Sequence, residues 1–137
     1  MQAKNDMRRY LKGQTYVEFA FIAVVILSTI FAVINFSLAI YAYNFVSYAA
    51  REGTRFAAVH GASNPSPAHA TDITKLVTTA AYGLNSQNLK VTTTWSPDNK
   101  PGSMVLVQVR YTFNFTIPFI TLKPVNLTST SQMMISY

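Results

Sequence analysis

The chain contains no cysteine, which excludes both a disulfide framework and a thiolate metal site. Charge is scarce as well: 12% of the 137 residues are charged, about half of the roughly 25% usual in soluble globular domains. Half of the residues are apolar, so the deficit calls for a setting in which low charge is tolerated, and a lipid bilayer is the simplest. Catalytic signatures are missing too. There is no G-x-x-x-x-G-K-[ST] phosphate loop and no G-x-S-x-G elbow. The two histidines, His60 and His69, have no serine–carboxylate or metal spacing around them. His60, His69 and Asp72 can be drawn as a metal site, but loop histidines are more often bystanders. The expectation is no enzyme, no metal and no cofactor.

The formal charge of +6 is divided unevenly along the chain. Lys4, Arg8, Arg9 and Lys12 stand against Asp6 in residues 1–13, while the remaining charges are spread thinly. No Arg/Lys stripe is interleaved with aromatics, so no nucleic-acid partner is expected.

From Phe19 to Ala50 no residue is charged. A helix needs about 20 apolar residues to span a bilayer, and in lipid a single span must be helical to bond its own amides. A buried core helix of a soluble protein is the competing reading, and so long a charge-free run in so short a chain argues against it. Polar residues enter at Asn35, Ser37, Tyr41, Tyr43, Asn44, Ser47 and Tyr48. Tyrosines favour the membrane–water boundary, so the span is expected at about 19–42 within a helix covering 14–59. Past the boundary, Phe45, Tyr48, Ala49, Phe56 and Val59 are expected to pack on a small domain. The basic flank keeps the N-terminus in the cytoplasm and the rest outside. The apolar run far exceeds the 7–15 residues of a secretory signal, so a cleaved signal of that kind is not expected.

Between the basic leader and the apolar run lies Gly13-Gln-Thr-Tyr-Val-Glu18-Phe19. A carboxylate at the edge of a membrane helix calls for a partner. A cut after Gly13 would create an α-ammonium on Gln14, four positions before Glu18 and on the same helix face. Such a pair, within one chain or between copies, suits register and docking better than raw stability. These residues resemble the processing site of type IV pilins and pseudopilins, where a prepilin peptidase cuts after the glycine.

A second stretch, Ala49-Ala50-Arg51-Glu52-Gly53-Thr54-Arg55-Phe56-Ala57-Ala58, is similar to the segment that follows the span in TadE-like proteins, the minor pseudopilins of tight-adherence (Flp-type) pili. The resemblance implies processing at Gly13 and Gln14 and docking through Glu18 and Phe19. Arg51, Glu52, Gly53 and Arg55 are its family motif. It also implies a membrane, a prepilin peptidase, sister pilins and an assembly machine as partners, and the cytoplasmic membrane as location. Major Flp pilins end soon after the helix, so the added domain points to a minor component. The plainer reading of Arg51, Glu52 and Arg55 is a surface salt-bridge cluster.

After a turn-rich loop at 60–70, Thr71 or Asp72 is placed to cap a short helix bearing Ile73, Leu76, Val77, Ala80 and Ala81 at helical spacing, with Gly83 as its stop. Leu89, Val91, Thr93 and Trp95 alternate with polar residues, as do Val105, Val107, Val109, Tyr111, Phe113 and Phe115, around the turn Ser96–Gly102. Pro118 and Pro124 bracket a loop, and residues 127–137 read as a third strand. The expected fold is therefore α+β and pilin-like: a basic leader at 1–13, the long helix, and a small domain at 71–137 with one short helix and a three-stranded antiparallel sheet. The alternative is an uncleaved signal-anchor protein whose outer domain binds a partner.

Overall fold

The computed structural model describes the backbone of residues 2–117 and 122–136, and the side chains of residues 14–117 and 122–136. The elements are α1 (Gln2–Val59), α2 (Ala70–Ala80), a 3-10 turn (Ser86–Asn88), β1 (Leu89–Ser96), β2 (Met104–Phe113) and β3 (Val125–Met134). The fold is α+β, with one long apolar helix, one short helix and one antiparallel sheet of order β1-β2-β3.

The chain divides into two compact units, residues 1–37 with 116–121, and residues 38–115 with 122–137. In the first, α1 presents its apolar side chains outward all round. Phe19, Phe21, Val25 and Val33 are each 60% exposed or more, and Phe31, the least exposed large apolar residue of the stretch, is still 39% exposed. A helix apolar on every face is not a surface helix of a soluble domain. Two of its hydroxyls spend their hydrogen bonds on the helix itself: Thr29 Oγ1 donates to the Val25 carbonyl at 2.9 Å and Ser37 Oγ to the Val33 carbonyl at 2.9 Å. No hydroxyl of these two is left to be desolvated unpaired.

In the second unit, the sheet turns one face to the helices. Val105, Val107, Val109, Tyr111 and Phe113 are buried at alternate positions of β2, the middle strand. In register beside them stand Trp95, Thr93, Val91 and Leu89 of β1, and Met133, Ser131, Ser129, Leu127 and Val125 of β3. Period-two alternation thus sorts the apolar set to one side. The other face is polar, and there Lys90 and Arg110 are direct cross-strand partners.

α2 adds Ile73, Val77 and Ala81 to the core. Its start differs from expectation: His69 is the N-cap, and Asp72 acts from the first turn, its carboxylate accepting the His69 backbone N–H at 2.9 Å. That satisfies one backbone donor and places negative charge at the helix N-terminus. Gly83 follows with φ +73°, a conformation natural to glycine. The β1–β2 turn is organised by Asp98, which accepts from Ser103 Oγ at 2.6 Å and from the Lys100 N–H at 3.1 Å. The Ser103 hydroxyl first, then the Lys100 amide, hold the Asp98 carboxyl below its ordinary value.

β3 begins at Val125 and ends at Met134, two residues earlier than expected at the start and three at the end. Ile135 and Ser136 after it are not strand. Ile135 is buried, and the Ser136 N–H donates to the Ala58 carbonyl at 3.0 Å, satisfying one of the orphan carbonyls at the end of α1. Asn64 Nδ2 does the same for Val59 at 3.1 Å. Pro118 lies outside the described residues.

Candidate functional site

Two stretches of α1 carry the candidate residues. In the first, Gly13 lies where side chains are outside the described set, and Gln14, Glu18 and Phe19 are all exposed. Glu18 makes no ion pair with any described residue. Tyr16 and Val17 beside it are exposed as well, at 74% and 58%. The carboxylate therefore stands among outward-facing apolar side chains, at the start of the apolar run of α1. That stretch is long and apolar enough to cross a membrane. In lipid, a lone carboxylate in such a place has to find a cation.

The second stretch, residues 49–58, splits into two functions by helix geometry. Ala42, Phe45, Val46, Ala49, Ala50, Gly53, Thr54, Ala57 and Ala58 recur at three- and four-residue spacing and are all buried. Most are small, so the helix axis comes close to its neighbours. Gly53 marks the nearest approach: a methyl placed there would meet Ile73 Cγ2 at 3.2 Å, Val107 Cγ1 at 3.3 Å and Val77 Cγ2 at 3.7 Å. The glycine is thus where α1, α2 and β2 converge. Thr54, fully buried, contacts the Ala50 carbonyl at 2.7 Å and the Ser131 carbonyl at 3.2 Å through Oγ1. One hydroxyl hydrogen is shared between them, linking α1 to the β3 backbone.

Arg51, Glu52 and Arg55 lie away from this packing face. Glu52 and Arg55 form a bidentate pair, Nη2–Oε1 2.7 Å and Nε–Oε2 3.1 Å. The hydrogen bond from Arg55 holds the Glu52 carboxyl below its ordinary value, against a smaller opposing effect of burial, and the same bond raises Arg55. Arg51 is exposed and makes no ion pair with a described residue.

The packing stripe expected from sequence is corrected in part. Phe45 and Ala49 are buried and Phe56 is half-buried, but Tyr48 and Val59 point outward, 61% and 42% exposed. At the level of Gly53 the face leaves no room for a large side chain. The stripe of small residues carries the contact instead, and the alanines at 42, 50, 57 and 58 are the signal that sequence reading passed over.

The remaining candidates have structural employment. His60 stacks on Phe56 with ring centroids 4.3 Å apart and its Nδ1 lies 2.9 Å from the Phe56 carbonyl, which requires the Nδ1–H form. His69 and Asp72 cap α2. Among the described residues no three His, Cys, Asp or Glu side chains gather. What the arrangement offers is a lipid-compatible helix, a carboxylate near the start of its apolar run, and a closely packed helix–sheet joint with an ion pair on its surface.

No curated protein and no solved structure matches the chain. Residues 13–55, which hold the first stretch and the second as far as Arg55, match the family model of TadE-like proteins, the family their motifs resemble.

Proposed function

We propose that this chain is a membrane-anchored minor pilin or pseudopilin of a tight-adherence (Flp-type) pilus, a structural subunit and not an enzyme. A prepilin peptidase cuts after Gly13, the helix from Gln14 holds the subunit in the cytoplasmic membrane, and the C-terminal domain lies outside. Assembly then transfers the helix from lipid to sister helices in a pilus used for surface attachment.

The observation that carries this reading is the outward-facing apolar surface of α1 around Glu18, a carboxylate with no ion pair to any described residue. Lipid and a sheath of sister helices are both apolar, so one surface serves both states without refolding. Glu18 is the exception. In either setting its charge needs a cation, and the new α-ammonium of Gln14 on a neighbouring subunit supplies one of matching location. The match of residues 13–55 to the TadE-like family supports the same reading.

The test is Glu18→Ala, made in a cell that assembles the pilus. Membrane insertion of the variant is expected to stay intact, because removing a charge only favours lipid, while its incorporation into filaments falls sharply. Normal incorporation of Glu18→Ala would remove the role given to Glu18.

A further inference from the structure

One contact outside both motif stretches sets a depth. Asn35 is 6% exposed. Its Nδ2 donates to the Phe31 carbonyl at 2.9 Å and to the Thr116 carbonyl at 2.9 Å, and its Oδ1 accepts the Thr116 N–H at 2.9 Å. Both backbone polar groups of Thr116 are therefore spent on one helix side chain. Thr116 lies after β2 in neither helix nor strand, and Ile117 beside it is half-buried.

We propose that this clasp fixes the chain's depth in the bilayer: the hydrocarbon ends at Asn35, and the chain at Thr116–Ile117 rests on the lipid headgroup boundary as a second point of membrane contact. The proposal rests on the reading of α1 as a membrane span. Irregular backbone is not tolerated facing hydrocarbon, because no water is there to bond its amides. Asn114, Phe115 and Thr116 lie in neither helix nor strand, so the level of Asn35 must lie at or beyond the hydrocarbon limit.

Lengths agree with that limit. A hydrocarbon core of about 30 Å takes about 20 residues at roughly 1.5 Å each. Counted back from Asn35, the span becomes residues 16–34, which begins at Tyr16 and sets Glu18 just inside the opposite boundary. Lys12 then falls among the headgroups, about 6 Å beyond Tyr16, and Arg9 and Arg8 stand about 10–12 Å beyond it, on the water side. Counted forward, Tyr41 and Tyr43 stand about 9–12 Å beyond Asn35, on the water side of a headgroup layer of roughly 5–8 Å. A span of 19–42, as tyrosine placement alone suggests, would be about 36 Å long and overshoot the core by about 6 Å.

Because the natural chain has no cysteine, single cysteines report without background. The full chain carrying Ile26→Cys, Ile34→Cys, Leu38→Cys or Ile117→Cys is labelled with an environment-sensitive fluorophore in phosphatidylcholine–phosphatidylglycerol vesicles. Quenching by doxyl groups at set acyl depths is compared with quenching by aqueous iodide. The expected result is deep quenching at 26, shallow acyl quenching at 34 and 117, and loss of acyl quenching at 38. Adding Asn35→Leu to the 117 variant is expected to turn its label over to iodide while Trp95 emission stays unchanged. A label at 38 quenched as deeply as that at 26 would overturn the boundary, and a 117 label indifferent to Asn35→Leu would overturn the clasp. Absence of lipid quenching at 26 would refute the membrane span itself, a separate failure.

Discussion

Gly53→Ala is the sharpest test of the joint between α1, α2 and β2. In an exposed helix interior the change is favourable by about 1 kcal/mol, since alanine is the better helix former. Here the added methyl meets Ile73 Cγ2 at 3.2 Å and Val107 Cγ1 at 3.3 Å, both on fully buried residues. Comfortable carbon–carbon contact lies nearer 3.5–4.0 Å. Ile73 and Val107 are β-branched, with few alternative rotamers inside a helix or strand, so relief requires backbone movement. Overpacking of this kind costs about 1–3 kcal/mol, which outweighs the propensity gain and leaves a net loss of about 1 kcal/mol. The corresponding fall in Tm is about 4–8 °C for a domain of this size. The assay is thermal unfolding of the full chain in detergent, followed by the emission of Trp95, the single tryptophan, which is half-buried on the helix-facing side of β1. Far-UV signal is a poor substitute, because the apolar part of α1 stays helical in micelles. Val107→Ala makes room, so its cost and that of Gly53→Ala are expected to combine less than additively by about 0.5–1 kcal/mol. A rise in Tm for Gly53→Ala alone would refute the close approach.

Two further outcomes are expected. Lys90→Thr removes one of two like charges facing each other across β1 and β2 and should stabilise the sheet by about 0.2–1 kcal/mol, read from the same melt. For the Glu52–Arg55 pair the folded-state carboxyl is lowered, so its small contribution is present above the ordinary carboxylate range and is lost as pH falls through the lowered value. A carboxyl titration by NMR should show Glu52 return to its ordinary value in Arg55→Ala, with little change in the melt of an exposed pair.

Much of this architecture could be read before any coordinates. The charge-free run fixes one long helix, because 32 uncharged positions starting at Phe19 leave few other options. Alternation in Val105–Phe113 fixes β2, since each buried residue there is large and apolar. β3 was harder to delimit because Ser129 and Ser131 occupy inward positions, and serine at a half-buried site gives no hydrophobic period. The packing face of α1 was misjudged for a similar reason. Hydrophobic periodicity weights large side chains, whereas a close helix–sheet approach selects alanine and glycine, so the packing requirement at Gly53 gives no hydrophobic signal. The Asn35–Thr116 clasp joins residues 81 positions apart, a pairing that no local pattern encodes. Gly13 and Glu18 lie in the segment that matches the TadE-like family model, a likeness readable from their position between a basic leader and an apolar run.

Intact-mass measurement of the membrane-derived protein tests the central claim most directly. Pilin-type processing predicts a chain that starts at Gln14, with residues 1–13 gone. A chain that keeps all thirteen residues in cells with an active prepilin peptidase would contradict it and favour a permanent signal anchor.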